Sequence, residues 1–403
     1  MGIGIASMVG MIGGIHVNVA SSLRSVDPVE WDSLTSAAGL FTSHTWLLGD
    51  EADPSADVSY LLARDNNRSL VGGLPCYRPR VAGSERYRLR VLFGRDDVPS
   101  SRELVLAGGR SGYRSDVPVS DRLSPADASV VRTSLLREVA ALAARDGRQA
   151  VLLYVPADAC LQLAADVGVG VPIGADATMS LPGCSFADWL GEFAPRRRRR
   201  IRHELKVYDA AGWRTEIVSL GAVIDEVVPL LAALQRKHGA LAEPRALARL
   251  LARQEQVFGE DAIVFAGRRH GRLGAFALVY RHGHGLQVRA TGFDYDLEPE
   301  AAYAYFNVVY YAPIAHAYET SARALHLGVD SLHAKVLRGA RLTSLWALPI
   351  GWEWPEGVAS GAVRRVTDAL RAEIGPQVAR YFTDASDPLL PELRPDPVSR
   401  IGD

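Results

Sequence analysis

A chain that carries one hairpin twice is restricted to folds that can be built twice. The segment Leu62-Ala63-Arg64-Asp65-Asn66-Asn67-Arg68-Ser69-Leu70 leads into Pro75-Cys76-Tyr77-Arg78. At an offset of 203 residues, Phe265-Ala266-Gly267-Arg268-Arg269-His270-Gly271-Arg272-Leu273 leads into Leu278-Val279-Tyr280-Arg281. Alanine, leucine, tyrosine and arginine recur in register. Both segments set apolar runs around a polar turn, Asp65–Arg68 and Arg268–Arg272, which is the pattern of a β-hairpin.

The order of elements around each copy repeats as well. In the first half, Ser124-Pro125 opens a helix from about Asp127 to Arg145, which leads into the apolar strand Ala150–Val155. In the second, a short amphipathic helix at Ser185–Phe193 precedes the basic segment Pro195–Ala211. Helices at Val223–His238 and Pro244–Phe258 follow. The hairpin Ala262–Arg281, strands at Gly285–Phe293 and Tyr303–Tyr311, and a helix at Pro313–Ala324 complete that half. The expected fold is α/β (α+β), two tandem domains, each a mixed and mainly antiparallel sheet flanked by helices. The 403 residues suffice for two cores. Residues 1–16 are expected to form a leader, 17–178 the first domain, 179–356 the second, and 357–403 a C-terminal helix and tail. Within these, Met1–Gly14 reads as a loose leader before a first strand at His16–Ala20, Val358–Arg380 reads as helical, and the chain from Asp387 reads as frayed.

Composition excludes several classes. Formal net charge is −1, so affinity for a polyanion must come from a local patch and not from a global field. Cys76, Cys160 and Cys184 are odd in number and far apart, which argues against a disulfide framework and fits a reducing cytoplasm. The apolar, glycine-rich stretch Met1–Gly14 is too short to span a bilayer, and no membrane span is expected. His282 and His284 share one face of a strand but lack the company a metal site needs, so no metal is expected. Among 45 basic residues only Lys206, Lys237 and Lys335 are lysine. A retained lysine offers a compact ammonium with a movable pKa, which arginine does not.

The most unusual run is Pro195-Arg196-Arg197-Arg198-Arg199-Arg200-Ile201-Arg202-His203-Glu204-Leu205-Lys206. Pro195 suits a first helical position and Gly212 a stop. Ile201, Leu205 and Tyr208 form an apolar stripe, while Arg199, Arg202, His203 and Lys206 fall on the other faces. Arginines at a helix N-terminus oppose the macrodipole at roughly 0.3–1 kcal/mol for each nearby charge. Either they pair with acidic neighbours, or they form a phosphate-binding face. Transfer RNA, a nucleotide diphosphate and coenzyme A are the candidate ligands.

Further on, Tyr303-Ala304-Tyr305-Phe306-Asn307-Val308-Val309-Tyr310-Tyr311-Ala312-Pro313 precedes Gly328 and His333-Ala334-Lys335-Val336-Leu337-Arg338-Gly339. Here the chain resembles the FemAB/FemX-like aminoacyltransferase branch of the GNAT (acyl-CoA N-acyltransferase) superfamily. The shared features are a Tyr-Tyr pair entering a helix, a Gly-x4-His-x-Lys-x-x-Arg-Gly turn, and an upstream basic helix. The opening Val29-Glu30-Trp31-Asp32-Ser33-Leu34 with Phe41-Thr42-Ser43-His44 is similar to the family's N-terminal pattern. The resemblance implies two tandem GNAT-like domains, the second of them catalytic. It implies transfer of an amino acid from aminoacyl-tRNA to the amine of a peptidoglycan-type or natural-product small-molecule acceptor, without a metal. Its invariant lysine maps to Lys335. Its basic helix maps onto Arg196, Arg198, Arg199, Arg202 and Lys206 as donor-binding residues, joined by Tyr310 and Tyr311.

The residues agree chemically with that expectation. Aminolysis of an ester passes through a tetrahedral oxyanion, which a fixed cation stabilises. Lys335 supplies one, and Arg338 either supports it or holds donor phosphate. Asp294 and His333 are candidate general bases, although Asp294 reads equally as a turn acid. Tyr310 and Tyr311, read as a strand, would alternate faces. Arg268-x-x-Gly271 begins the Arg/Gln-x-x-Gly-x-Gly/Ala phosphate loop of acetyl-CoA-dependent relatives, but Gly271-Arg272-Leu273-Gly274 departs from it and reads better as a hairpin turn. Acyl-CoA or an acyl carrier is therefore the alternative donor, and a non-catalytic binding scaffold the alternative role.

Overall fold

The computed structural model describes residues 8–12, 14–35, 39–81, 83–239 and 242–394. Its contacts divide the chain into two compact units. Unit 1 comprises Met1–Asp176, Val329–Val336 and Arg341–Asp403; unit 2 comprises Ala177–Gly328 and Leu337–Ala340.

In unit 1, the strands β1 (Met8–Ile12), β2 (Ile15–Ala20), β3 (Ala56–Arg64), β4 (Leu70–Pro79), β5 (Leu104–Ala107) and β6 (Gln149–Pro156) lie in sequential order. The late strand β13 (Arg341–Ile350) pairs antiparallel with β6. Strand β7 (Val171–Ser180) begins in this unit and continues into the next. In unit 2, Ala177–Ser180 of β7 pairs with β12 (Ala324–Gly328). Then follow β11 (Gly285–Phe293), β10 (Arg272–His282), β9 (Ala262–Arg269) and β8 (Trp213–Ser219).

Among the described strands, each unit contains one parallel pair among antiparallel neighbours. In unit 1 it is β5–β6, bridged by the helix Pro125–Arg145; in unit 2 it is β11–β12, bridged by helical residues 304–319. A parallel pair needs a crossover, and an amphipathic helix provides it. The repeated hairpin is β3–β4 in one unit and β9–β10 in the other. In the second turn His270 and Gly271 both take positive φ, 52° and 78°, as a tight two-residue hairpin requires. This is the mixed, mainly antiparallel α/β architecture expected from the sequence.

The core of unit 1 is built from Tyr77, Leu104, Leu106, Val151, Leu153 and Leu345, all buried. In unit 2, Phe265, Phe276, Tyr280 and Trp213 are fully enclosed. Gly274 is required there, because a Cβ would come within 2.5 Å of the Trp213 ring.

Four local expectations are corrected. Part of the expected leader is strand β1, paired with β2. Tyr303–Tyr311 is not a strand: Ala304–Phe306 is α-helical, Asn307–Tyr311 forms a π-turn and Ala312–Glu319 is α-helical. A short apolar run does not separate a buried helix from a strand by periodicity. Pro313 removes one i→i−4 bond and crowds the preceding turn, and the wider π-turn immediately before it accommodates that. The helix ends at Glu319, and Ala324 already belongs to β12. The chain at Asp387 is anchored, not frayed. Its buried carboxylate accepts from Ser344 Oγ at 2.6 Å, Ser344 N at 2.9 Å and Leu389 N at 3.0 Å.

Candidate functional site

The basic helix runs from Pro195 to Ala210 in unit 2, with proline in its first turn, and Gly212 follows at φ 77°. Its buried face is Ile201, Glu204 and Tyr208, with Leu205 only half-buried. A carboxylate thus occupies the stripe where the leucine was expected.

Glu204, 2% exposed, is a hub. Its Oε2 accepts from Arg338 Nη2 at 2.9 Å and from the Tyr311 hydroxyl, and its Oε1 accepts from Arg200 Nε at 2.8 Å. Asn307 Nδ2 donates to the Glu204 carbonyl at 3.3 Å and to the Tyr303 carbonyl at 2.9 Å. The π-turn presents Tyr310 and Tyr311 on successive positions, and both are buried. The Arg338 guanidinium lies 3.5 Å from the Phe306 ring centroid, 5.3 Å from Tyr310 and 5.7 Å from Tyr311. It is 3% exposed. Burial pushes both tyrosine phenols far above their ordinary value, so neither exchanges a proton near neutral pH. Within unit 2, Arg338 is therefore the buried cation of an ion pair wrapped by aromatic rings. Gly339, at φ 90°, turns the chain just after it.

The remaining cations of the helix separate into two groups. Arg198 donates to the carbonyls of Phe193 at 2.8 Å and Gly191 at 3.4 Å, closing the C-terminal end of the short helix Phe186–Gly191. Arg200 pairs with Glu204 and lies 4.9 Å over the Tyr303 ring. Arg196, Arg199, Arg202, His203 and Lys206 are exposed. Among the described residues, none of Arg196, Arg199, Arg202 and Lys206 forms a salt bridge. Acidic pairing therefore accounts for one arginine of the run and leaves an unneutralised track.

Lys335 lies in unit 1, on the short helix Leu332–Val336. It is 5% exposed. Burial pushes its ammonium down to about 8; Asp330, Asp176 and Glu373 pull it up, and Arg86 pushes it further down. Arg86 itself pairs with Asp330 at 2.6 Å. His333 is exposed, and its backbone N–H donates to Glu373 at 3.2 Å. Asp294, in unit 2, caps the turn Tyr295–Leu297 and pairs with Arg272 at 2.7 Å. Two surface cavities of unit 1, about 380 and 350 Å³, are lined by residues such as Arg90, Arg148, Trp352 and Arg102, and by none singled out from the sequence. Among the described residues no group of three or more His, Cys, Asp or Glu is placed to hold a metal ion. No helix among them is long and apolar enough to cross a membrane.

Sequence reasoning missed Glu204 and Tyr303. The signal for Glu204 was a lone acid inside a run of basic residues, four positions after Arg200. Tyr303 carried none, since its role depends on the helical turn that was read as a strand.

Residues 195–336 match the model of the acetyltransferase (GNAT) domain. No curated protein sequence matches the chain. Among solved structures, that of FemX superposes with a TM-score of 0.54 at 11% identity, covering 80% of this chain and 96% of that one. The C-terminal domain of a putative lysylphosphatidylglycerol synthetase from Agrobacterium fabrum gives 0.50 at 11% identity, covering 86% and 97%. A conserved protein of unknown function from Bacteroides thetaiotaomicron gives 0.51 at 11%, covering 81% and 98%. At these identities the likeness is one of fold.

Proposed function

Starting from a GNAT-superfamily chain of Fem-like fold, we propose that it transfers an aminoacyl group from aminoacyl-tRNA to the amine of a small-molecule or peptidoglycan-type acceptor. The acceptor nitrogen attacks the ester carbonyl, a tetrahedral oxyanion forms, and its collapse releases the ribose hydroxyl of the tRNA while the nitrogen loses a proton. Lys335 is the cation assigned to the oxyanion. His333 and Asp294 stay the candidate bases, His333 the more available because Asp294 is committed to Arg272.

The observation that carries this reading is the unneutralised track on the basic helix. From Arg196 to Lys206 the helix rises about 15 Å, longer than one diphosphate and suited to successive phosphates of a nucleic-acid backbone. Arg196, in the first turn, opposes the macrodipole, and none of the four serves an ion pair among the described residues, so their role is directed outward. Arg268, which begins the phosphate-loop pattern of thioester-dependent relatives, is instead fixed by Glu216 at 3.1 Å and Glu226 at 2.8 Å.

The test is product formation from purified protein, an amine acceptor and pooled tRNAs charged with one labelled amino acid at a time. Amide product abolished by prior RNase treatment is expected. Product that forms from acyl-CoA in RNase-treated mixtures would replace this reading with the thioester one, which the acetyltransferase description of residues 195–336 favours. A second expectation concerns the track itself. Neutralising Arg199, Arg202 and Lys206 to glutamine should weaken RNA binding for every sequence alike. It should also flatten the slope of log affinity against log salt by about 0.7 for each phosphate that the variant no longer neutralises. An unchanged slope, read by fluorescence anisotropy, would remove the helix from the donor site.

A further inference from the structure

Tyr303 is held in an unusual way. It takes a left-handed backbone, φ 55°, that a bulky residue rarely adopts. Its carbonyl is tied by Asn307 at 2.9 Å, its hydroxyl receives Arg200 Nη2 at 3.3 Å, and the residue is half-buried. The Arg200 guanidinium lies 4.9 Å over that ring, and the His203 ring meets it edge-on at 6.0 Å. On the same short turn Phe306 lies near-parallel to Tyr303, with ring centres 6.4 Å apart and 23° between planes. Arg200 is fixed by Glu204 at 2.8 Å, yet half of its side chain, 50%, stays exposed. A half-exposed guanidinium thus lies against a strained tyrosine, on the same helix as the unneutralised track.

A half-exposed guanidinium beside a phenol ring is a surface that unpaired nucleobases recognise. They stack on aromatic rings and on arginine planes, while neighbouring phosphates take the point charges. Strain concentrated at a residue with no part in the hydrophobic core marks a position kept for binding. We infer that Arg200 and Tyr303 form a nucleobase-stacking subsite midway along the phosphate track, which receives an unpaired nucleotide of single-stranded RNA. This rests on the polynucleotide-donor reading above and adds to it that a base, as well as the backbone, is gripped. A thioester donor would supply one base and one diphosphate, and the probes below separate the two sources.

The experiment uses the full chain and two short single-stranded RNAs of equal charge, one intact and one abasic at its terminal nucleotides, with coenzyme A as a third probe. Wild-type protein is expected to bind the intact RNA about tenfold more tightly than the abasic one. Tyr303→Leu should bind both equally, at the abasic level, and Tyr303→Phe should recover the discrimination. The salt slope, set by phosphates, should be the same for all three proteins. Wild-type protein that binds intact and abasic RNA equally, with an intact salt slope, overturns the stacking subsite and leaves the donor reading standing. Wild-type protein that binds neither RNA but binds coenzyme A overturns both. The wild-type comparison needs no variant, so a misfolded substitution cannot obscure it.

Discussion

Glu204→Ala should cost the protein about 3–5 kcal/mol of stability, the range for removing one partner of a buried ion pair. The loss has an identifiable origin. Glu204 and Arg338 are each 3% exposed at the side chain and meet at 2.9 Å. Without the carboxylate, Arg338 would be left as a buried charge among Phe306, Tyr310 and Tyr311, and the Tyr311 hydroxyl would lose the acceptor it now has. An uncompensated charge in such surroundings is more costly than the pair is stabilising. The double variant Glu204→Leu/Arg338→Met should therefore recover most of the loss. Urea denaturation of the single and double variants is the measurement. A single variant within about 1 kcal/mol of wild type would show that the pair is screened, and that the basic helix is held by other contacts.

Lys335→Met should lower kcat about 10²- to 10³-fold, the usual effect of removing one oxyanion partner, with the fold checked by thermal melting. The pH dependence carries its own sign. The ammonium is pushed down to about 8 chiefly by burial, so near pH 7 it is about nine-tenths charged. An oxyanion partner must be charged, hence its contribution is full below pH 8 and is lost as pH rises through it. The acceptor amine titrates in the opposite direction, so the ratio of wild-type to Lys335→Arg rates is the cleaner measure. Arginine stays charged throughout. That ratio should be flat below pH 8 and fall about tenfold per pH unit above it. A ratio that rises through pH 8 would mean the neutral amine acts as a base. An unchanged kcat in Lys335→Met would exclude the lysine from chemistry and favour a binding scaffold.

Much of this was legible in the sequence because it depends on local pattern. The recurring Ala, Leu, Tyr and Arg of the two hairpins correspond to β3–β4 and β9–β10. Ser124 caps the helix that begins at Pro125, and Pro195 opens the basic helix that Gly212 ends. What was not legible depended on partners distant in the chain. The run Val308–Tyr311 satisfies a strand and a buried helix equally well until something packs on it. Glu204 looks like one charge in a charged helix until Arg338, 134 positions away, reaches it.

Local chemistry alone thus determined that this chain is a duplicated α/β protein with an arginine-rich helix and one conspicuous late lysine. Turn residues, caps and periodicity act within a few positions and need no tertiary context. Tertiary structure alone decided what those charges do. It set Arg338 inward against Glu204, left Arg196, Arg199, Arg202 and Lys206 facing solvent, and enclosed Lys335. It also assigned Lys335 and Arg338, three residues apart, to different compact units, with β13 returning to the first. The reason is physical: whether an ionisable side chain is paired, buried or free is fixed by which distant groups fold around it, and neighbouring positions carry no record of that.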